Sequence, residues 1–124
     1  MRLDQNEVKP IYLQIAEGIE DDILDKMLSE EEQAYSQYQI ARQFGINPAT
    51  AAKGINQLVM RGILYKVRGR GMYVSKGARE MIMNERKSAF SQTFIKDLLA
   101  EASKLEITKE ELIKMIRETK GGVI

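Results

Sequence analysis

Residues 36–58 read Ser36-Gln-Tyr-Gln-Ile-Ala-Arg-Gln-Phe-Gly45-Ile-Asn-Pro-Ala-Thr50-Ala-Ala-Lys-Gly-Ile-Asn-Gln-Leu58. Ser36 is an N-cap residue. Gln39, three positions on, completes a capping box in which each residue satisfies the other's backbone amide. Ile40, Ala41 and Phe44 follow at helical spacing and form one apolar face. Gly45 then supplies the left-handed cap that glycine adopts at least cost. Asn47 is a second N-cap, and Pro48 stands in the first turn, where its missing N–H loses nothing. The pattern predicts helices over about Gln37–Phe44 and Pro48–Arg61. Two helices joined this tightly make a helix-turn-helix, whose second member is sized for the major groove of duplex DNA.

Just downstream comes Ile63-Leu-Tyr-Lys-Val-Arg-Gly-Arg-Gly-Met-Tyr-Val-Ser75. Two β-rich runs flank Gly69-Arg70-Gly71, which is hairpin chemistry. Alternation assigns Ile63, Tyr65 and Val67 to the domain face, with Lys66 and Arg68 leaning outward. A basic hairpin directly after the second helix is the wing of a winged helix. The expected fold is mainly α with a small β-hairpin. A winged helix-turn-helix DNA-binding domain occupies residues 1–76, and a two-helix C-terminal dimerisation tail occupies 77–124.

Charge distribution points the same way. The 124 residues carry a net charge of +1, which hides a strong segregation. Residues 1–34 hold three basic and ten acidic side chains, whereas residues 35–79 hold eight basic and no acidic ones. A carboxylate-free window in an otherwise acidic chain suits a surface that faces phosphates. The chain has no Cys and no His. That removes disulfides, thiol chemistry, the usual general base and the commonest metal ligands. No nucleophile elbow or phosphate-binding loop is present, so an enzyme is not expected, nor is a metal or cofactor. With no long apolar run or signal-peptide pattern, a cytoplasmic location is expected.

In chain order, a short irregular lead precedes Pro10, which is expected in the first turn of a helix running to about Leu28. Ile11, Ile15, Ile19 and Ile23, extended by Leu24 and Met27, form its core stripe, and Glu17, Glu20, Asp21 and Asp25 its opposite face. That helix buttresses the DNA-reading unit. Gln33-Ala34-Tyr35 is a candidate short strand that pairs with the wing.

The candidate DNA contacts follow from position and chemistry. Ser36, Tyr38 and Arg42 lie on the first helix of the motif, with Tyr38 and Arg42 one turn apart; Tyr38 serves partial core packing equally well. Asn47, Pro48, Ala49 and Thr50 open the recognition helix, where small residues let it sit deep and Thr50 can meet a thymine methyl. Lys53, Gln57 and Arg61 continue that face. Lys66, Arg68, Gly69 and Arg70 form the wing, whose Gly-flanked arginine suits a minor groove. Gly54 costs a helix about 1 kcal/mol relative to Ala, so either DNA or a neighbouring helix must require the space.

From Ala78 to about Leu105 the chain has helical periodicity without Gly or Pro. Thr108 and Glu111 form another capping box that starts a last helix, with Gly121-Gly122 as its stop. Phe90, Phe94, Leu98, Leu112 and Ile116 are the candidate dimerisation residues. The other readings of these stripes are a tail folded on its own domain or a groove for a small ligand.

These residues resemble the GntR family of bacterial transcription regulators, and specifically its short YtrA-like branch. The resemblance rests on Pro10-Ile-Tyr-Leu-Gln-Ile15, Ser36 with Ile40-Ala41, Gly45-Ile-Asn-Pro-Ala-Thr50 and Arg68-Gly-Arg-Gly-Met-Tyr-Val74. It implies a dimeric regulator, often acting near operons for ABC transporters; the function expected from the residues is a repressor that binds an inverted repeat in double-stranded DNA. The longer members' effector-binding domain has no room in a tail of this length, so a small-molecule effector stays unknown. The chain departs from the wider family at Ala34-Tyr35-Ser36-Gln37, at Tyr38 and at Pro48, where the family often has Leu-Pro-Ser-Glu, Arg and Arg. Base contacts of other branches therefore do not carry over to these positions. Two alternatives use the same patch: an architectural binder without sequence choice, or a winged helix that docks an acidic protein.

Overall fold

The structure, a computed structural model, describes residues 1–121. Helix α1 spans Ile11–Leu24, α2 Gln37–Phe44 and α3 Pro48–Met60. Strands β1 (Leu64–Val67) and β2 (Gly71–Val74) follow, then α4 (Ala78–Phe90), a π-helical turn (Ser91–Ile95), α5 (Lys96–Lys104) and α6 (Lys109–Glu118). The mainly helical architecture with one small hairpin is the one expected. Two units are distinguished, Met1–Asn84 and Glu85–Ile124, with the boundary inside α4.

The first unit is built on α1 and α3. Ile15, Ile19 and Ile23 of α1, Ile40 of α2, and Ile55 and Leu58 of α3 are buried together with Ile63, Leu64 and Val74 of the hairpin region. Ala78 and Ile82, in the first turns of α4, are fully buried in the same cluster. The unit therefore continues to Asn84 rather than stopping at Lys76.

Four local expectations change. Helix α1 ends at Leu24 with Asp25 as its C-cap, short of Leu28, and Pro10 is its N-cap rather than a first-turn residue. Met27 consequently leaves the apolar stripe and is exposed, while Leu28 turns back into the core. Glu20 is not on a solvated face: it is buried, as is Gln14. Gln14 accepts from the Asp4 amide and donates to the carbonyls of Asp4 and Lys9, which ties the N-terminal lead to α1.

In the hairpin, Lys66 and Arg68 are exposed as expected, but Leu64 and Tyr65 exchange faces. Register pairs Leu64 with Val74 and Tyr65 with Tyr73. Leu64 and Val74 point inward, and Tyr65 turns outward, stacked on Tyr73 at 6.0 Å. Ile63 is buried too, but it precedes the strand, so alternation does not apply to it. Counting alternation from Ile63 thus placed Tyr65 on the wrong face. The expected strand near Gln33 is present as a single antiparallel bridge from Gln33 to Tyr73. Backbone bonds Glu31 N–Val74 O, Val74 N–Glu32 O and Ala34 N–Met72 O accompany it.

In the second unit, one expected long helix is interrupted by the π turn, where Thr93 Oγ1 donates to the Ala89 carbonyl. Helix α6 opens with the expected Thr108–Glu111 capping box and ends at Glu118 with Thr119 as cap, ahead of Gly121. Gly122 lies outside the described residues.

Candidate nucleic-acid interface

The helix-turn-helix forms by the local chemistry its sequence carries. Ser36 Oγ accepts from the Gln39 amide at 3.1 Å, and Gln39 Oε1 accepts from the Ser36 amide at 2.8 Å. Gly45 closes α2 in the left-handed region, and Asn47 Oδ1 accepts from the Ala49 amide at 2.8 Å to open α3. Upstream of the cap, the Tyr35 hydroxyl donates to Asp22 at 2.7 Å, which fixes the entry to α2 against α1. Burial, and then the Asp22 hydrogen bond and charge, push the Tyr35 phenol up to about 12. It stays a protonated donor throughout the physiological range.

Gly54 belongs to the α1–α3 crossing. A Cβ on it would stand 2.6 Å from the Tyr12 carbonyl oxygen and 2.9 Å from Ile15 Cγ2. Packing, not DNA, is the neighbour that requires the missing side chain.

The exposed surface of α3 carries Pro48, Ala49, Lys53 and Asn56, with Thr50, Ala52 and Gln57 half-buried. An open groove of about 620 Å³ runs along it, lined by Tyr12, Gln37, Ala49, Ala52, Lys53, Asn56, Gln57 and Met60. Asn56 is a base-reading residue type that sequence reasoning missed. The signal was there, since it stands one turn from Lys53 on the same helical face. On α2, Ser36 and Arg42 are exposed, and Tyr38 keeps 63% of its surface rather than packing into the core.

Arg61 is placed differently from the other expected contacts. It caps the far end of α3, and its Nη2 lies 2.6 Å from the carboxylate of buried Glu20. Arg79 likewise serves the fold, donating from Nε to the Leu24 carbonyl. The exposed cations of the carboxylate-free stretch are Arg42, Lys53, Lys66, Arg68, Arg70 and Lys76.

The wing is held from its base to its tip by the connector after α1. Tyr65 donates to Glu31 at 2.8 Å, the Gly77 amide donates to Glu30, and Gln33 Nε2 donates to the Arg70 carbonyl at 2.6 Å. The Glu31 hydrogen bond raises the Tyr65 pKa. The turn itself closes through Arg70 N–Val67 O at 2.9 Å, leaving the Arg70 side chain exposed at the tip between two glycines. Among the described residues no cluster of side chains is disposed to hold a metal ion, and no helix is long and apolar enough to cross a membrane.

Capped two-helix motif, recognition helix and clamped hairpin together define a winged helix-turn-helix DNA-binding fold. No family model matches the chain. It is 30% identical over 115 residues to the HTH-type transcriptional regulator YhcF of Bacillus subtilis, covering 92% of this chain and 93% of the relative. A GntR-family transcriptional regulator from Bacteroides thetaiotaomicron superposes with a TM-score of 0.73 at 32% identity, over 87% of this chain and 94% of that one. The chain belongs to the GntR family of transcription regulators. It has the proportions of the short YtrA-like members: it is 27% identical to the transcriptional repressor YtrA of Bacillus subtilis over 99% of its own length and 94% of the relative's. By contrast, it spans 34% of the length of the repressor NagR of the same organism, at 34% identity over 83 residues. The AraR DNA-binding domain, solved in complex with operator ORR3, matches 60% of this chain and 90% of its own at TM-score 0.53 and 29% identity. These relatives are regulators, not enzymes.

Proposed function

We propose that the protein is a repressor that binds an inverted-repeat operator as a homodimer, with α3 in the major groove and Arg70 of the wing in the flanking minor groove. The observation that carries this reading is the exposure of Arg42, Lys53, Lys66, Arg68 and Arg70 around a recognition helix that opens with small residues, in a stretch without one carboxylate. The operator complex of the AraR domain supports it. Ser36, Tyr38, Asn47, Pro48, Ala49, Thr50, Gln57 and Gly69 complete the proposed contact set. The short branch suggests a transporter operon as the target.

A footprint on the chain's own upstream DNA, followed by competition, tests the reading. Operator binding is expected to resist excess random duplex, and both kinds of binding to weaken steeply with salt. Equal displacement by random duplex would favour an architectural binder. Arg70→Ala is expected to weaken operator binding by about 1–3 kcal/mol in anisotropy titrations. Unchanged affinity would take the wing tip out of the contact set.

The dimer reading rests on the second unit. Among the described residues its buried apolar side chains are Ala102 and Leu112, so Leu112 is occupied inside the unit. Phe90, Phe94, Leu98 and Ile116 are exposed, and Phe90 and Phe94 pair at 5.4 Å. Leu98, Leu112, Met115 and Ile116 also line an open apolar groove of about 540 Å³. A second copy covers such a surface economically, because a palindromic site needs two-fold symmetric protein. Truncation after Asn84 keeps Ala78 and Ile82 in the core, so it is expected to give a folded monomer with much weaker operator binding. Sedimentation that still shows a dimer would move the interface elsewhere.

A further inference from the structure

The Lys53 ammonium sits over the ring of Tyr12, 4.1 Å from its centroid. Tyr12 is the second residue of α1 and Lys53 lies in the second turn of α3. The close crossing that brings them together is the one at Gly54, the next residue along α3, which faces the Tyr12 carbonyl. The ring is half-buried and fixed by the helix that carries it, while the lysine is exposed.

Building on the operator reading, we propose that Tyr12 is a positioning residue for DNA recognition. Its ring holds the Lys53 ammonium over the groove beside α3, pointed at the duplex. A free lysine loses rotamer entropy when a contact fixes it. A side chain already settled on an aromatic face has given up part of that freedom before DNA arrives. The ring takes one side of the ammonium and leaves donors on the other, so the lysine can bond a phosphate or guanine O6/N7 without leaving Tyr12. The groove lined by Tyr12, Ala49, Lys53, Asn56 and Gln57 is where the two elements meet.

The test is a double-mutant cycle on the full chain, read by anisotropy with a duplex from its own upstream region. Tyr12→Phe keeps the ring and is expected to bind as the unaltered chain does. Tyr12→Leu removes it and is expected to weaken binding about two- to fivefold, the part of the lysine's rotamer freedom that the ring has already taken up before DNA arrives. In a Lys53→Ala background, Tyr12→Leu is expected to change nothing further. A loss in Tyr12→Phe equal to that in Tyr12→Leu would overturn the proposal, because the hydroxyl would then be the active group. So would a Tyr12→Leu loss that persists without Lys53. Lys53 ε-methylene protons should also show an upfield ring-current shift in the DNA-free chain, kept in Tyr12→Phe and absent in Tyr12→Leu; no shift overturns the placement itself. If random duplex competes equally, the operator reading falls, and the ring-current shift and the cycle on any duplex still decide the role of Tyr12.

Discussion

Replacing Gly54 with alanine is expected to destabilise the protein by about 1–2 kcal/mol, lowering its thermal midpoint by roughly 5–15 °C. The sign is the informative part. In an unobstructed helix the same change stabilises by about 1 kcal/mol, because alanine is the better helix former. Here the new methyl would meet a backbone oxygen at 2.6 Å, and a carbonyl within a packed helix cannot swing aside as a flexible side chain can. The two helices must separate or distort, which costs more than the propensity gain returns. Thermal unfolding by circular dichroism decides it. A rise in midpoint combined with weaker DNA binding would mean that the glycine makes room for the duplex and that the helix crossing is softer than described.

Arg61→Met is expected to cost about 2–3 kcal/mol. Removing one partner of a buried ion pair leaves the other charge without compensation, and losses of about 3–5 kcal/mol are typical of fully buried pairs. Glu20 is 6% exposed at its side chain but Arg61 is 33% exposed, so water already shares this pair and the lower figure applies. Adding Glu20→Leu to Arg61→Met is expected to recover most of the loss, since it removes the buried carboxylate that Arg61 no longer neutralises. Urea unfolding of the two variants measures both effects. The same substitution asks whether Arg61 also touches DNA. A phosphate contact lowers the salt dependence of binding by about one unit when it is removed, whereas an internal ion pair leaves that slope unchanged.

Much of the first unit could be read from the chain because its signals are local. The Ser36–Gln39 box, Gly45 and the Asn47–Pro48 start each act within four residues, and α2 and α3 follow from them. What could not be read depended on partners distant in sequence. Glu20 looks solvated on a helical wheel, yet it is buried and paired with Arg61, 41 residues further along the chain. The glycine at position 54 announced a close neighbour without naming it, and Tyr12 is 42 residues away by numbering. The faces of Leu64 and Tyr65 were misjudged because Ile63 is buried ahead of the strand, in a position where alternation carries no information. Among the proposed contacts, Arg42 and the wing cations were picked out by charge, and the structure exposes them. Asn56 was left out although it stands one turn from Lys53, because the exposed face of α3 was followed through Lys53 to Gln57.

The backbone of residues 31–34 runs beside β2 and hydrogen-bonds to Met72 and Val74, while the Gln33 side chain reaches the carbonyl at the fingertip. A lone two-stranded ribbon is marginal in water and would have to be frozen into shape on contact. This one is braced along its length, so it reaches its target preformed. Shape adjustment on docking then falls chiefly to the nucleic acid. Sites whose base steps yield easily should be favoured at positions no side chain touches, a selectivity set by bending stiffness rather than by hydrogen-bond matching.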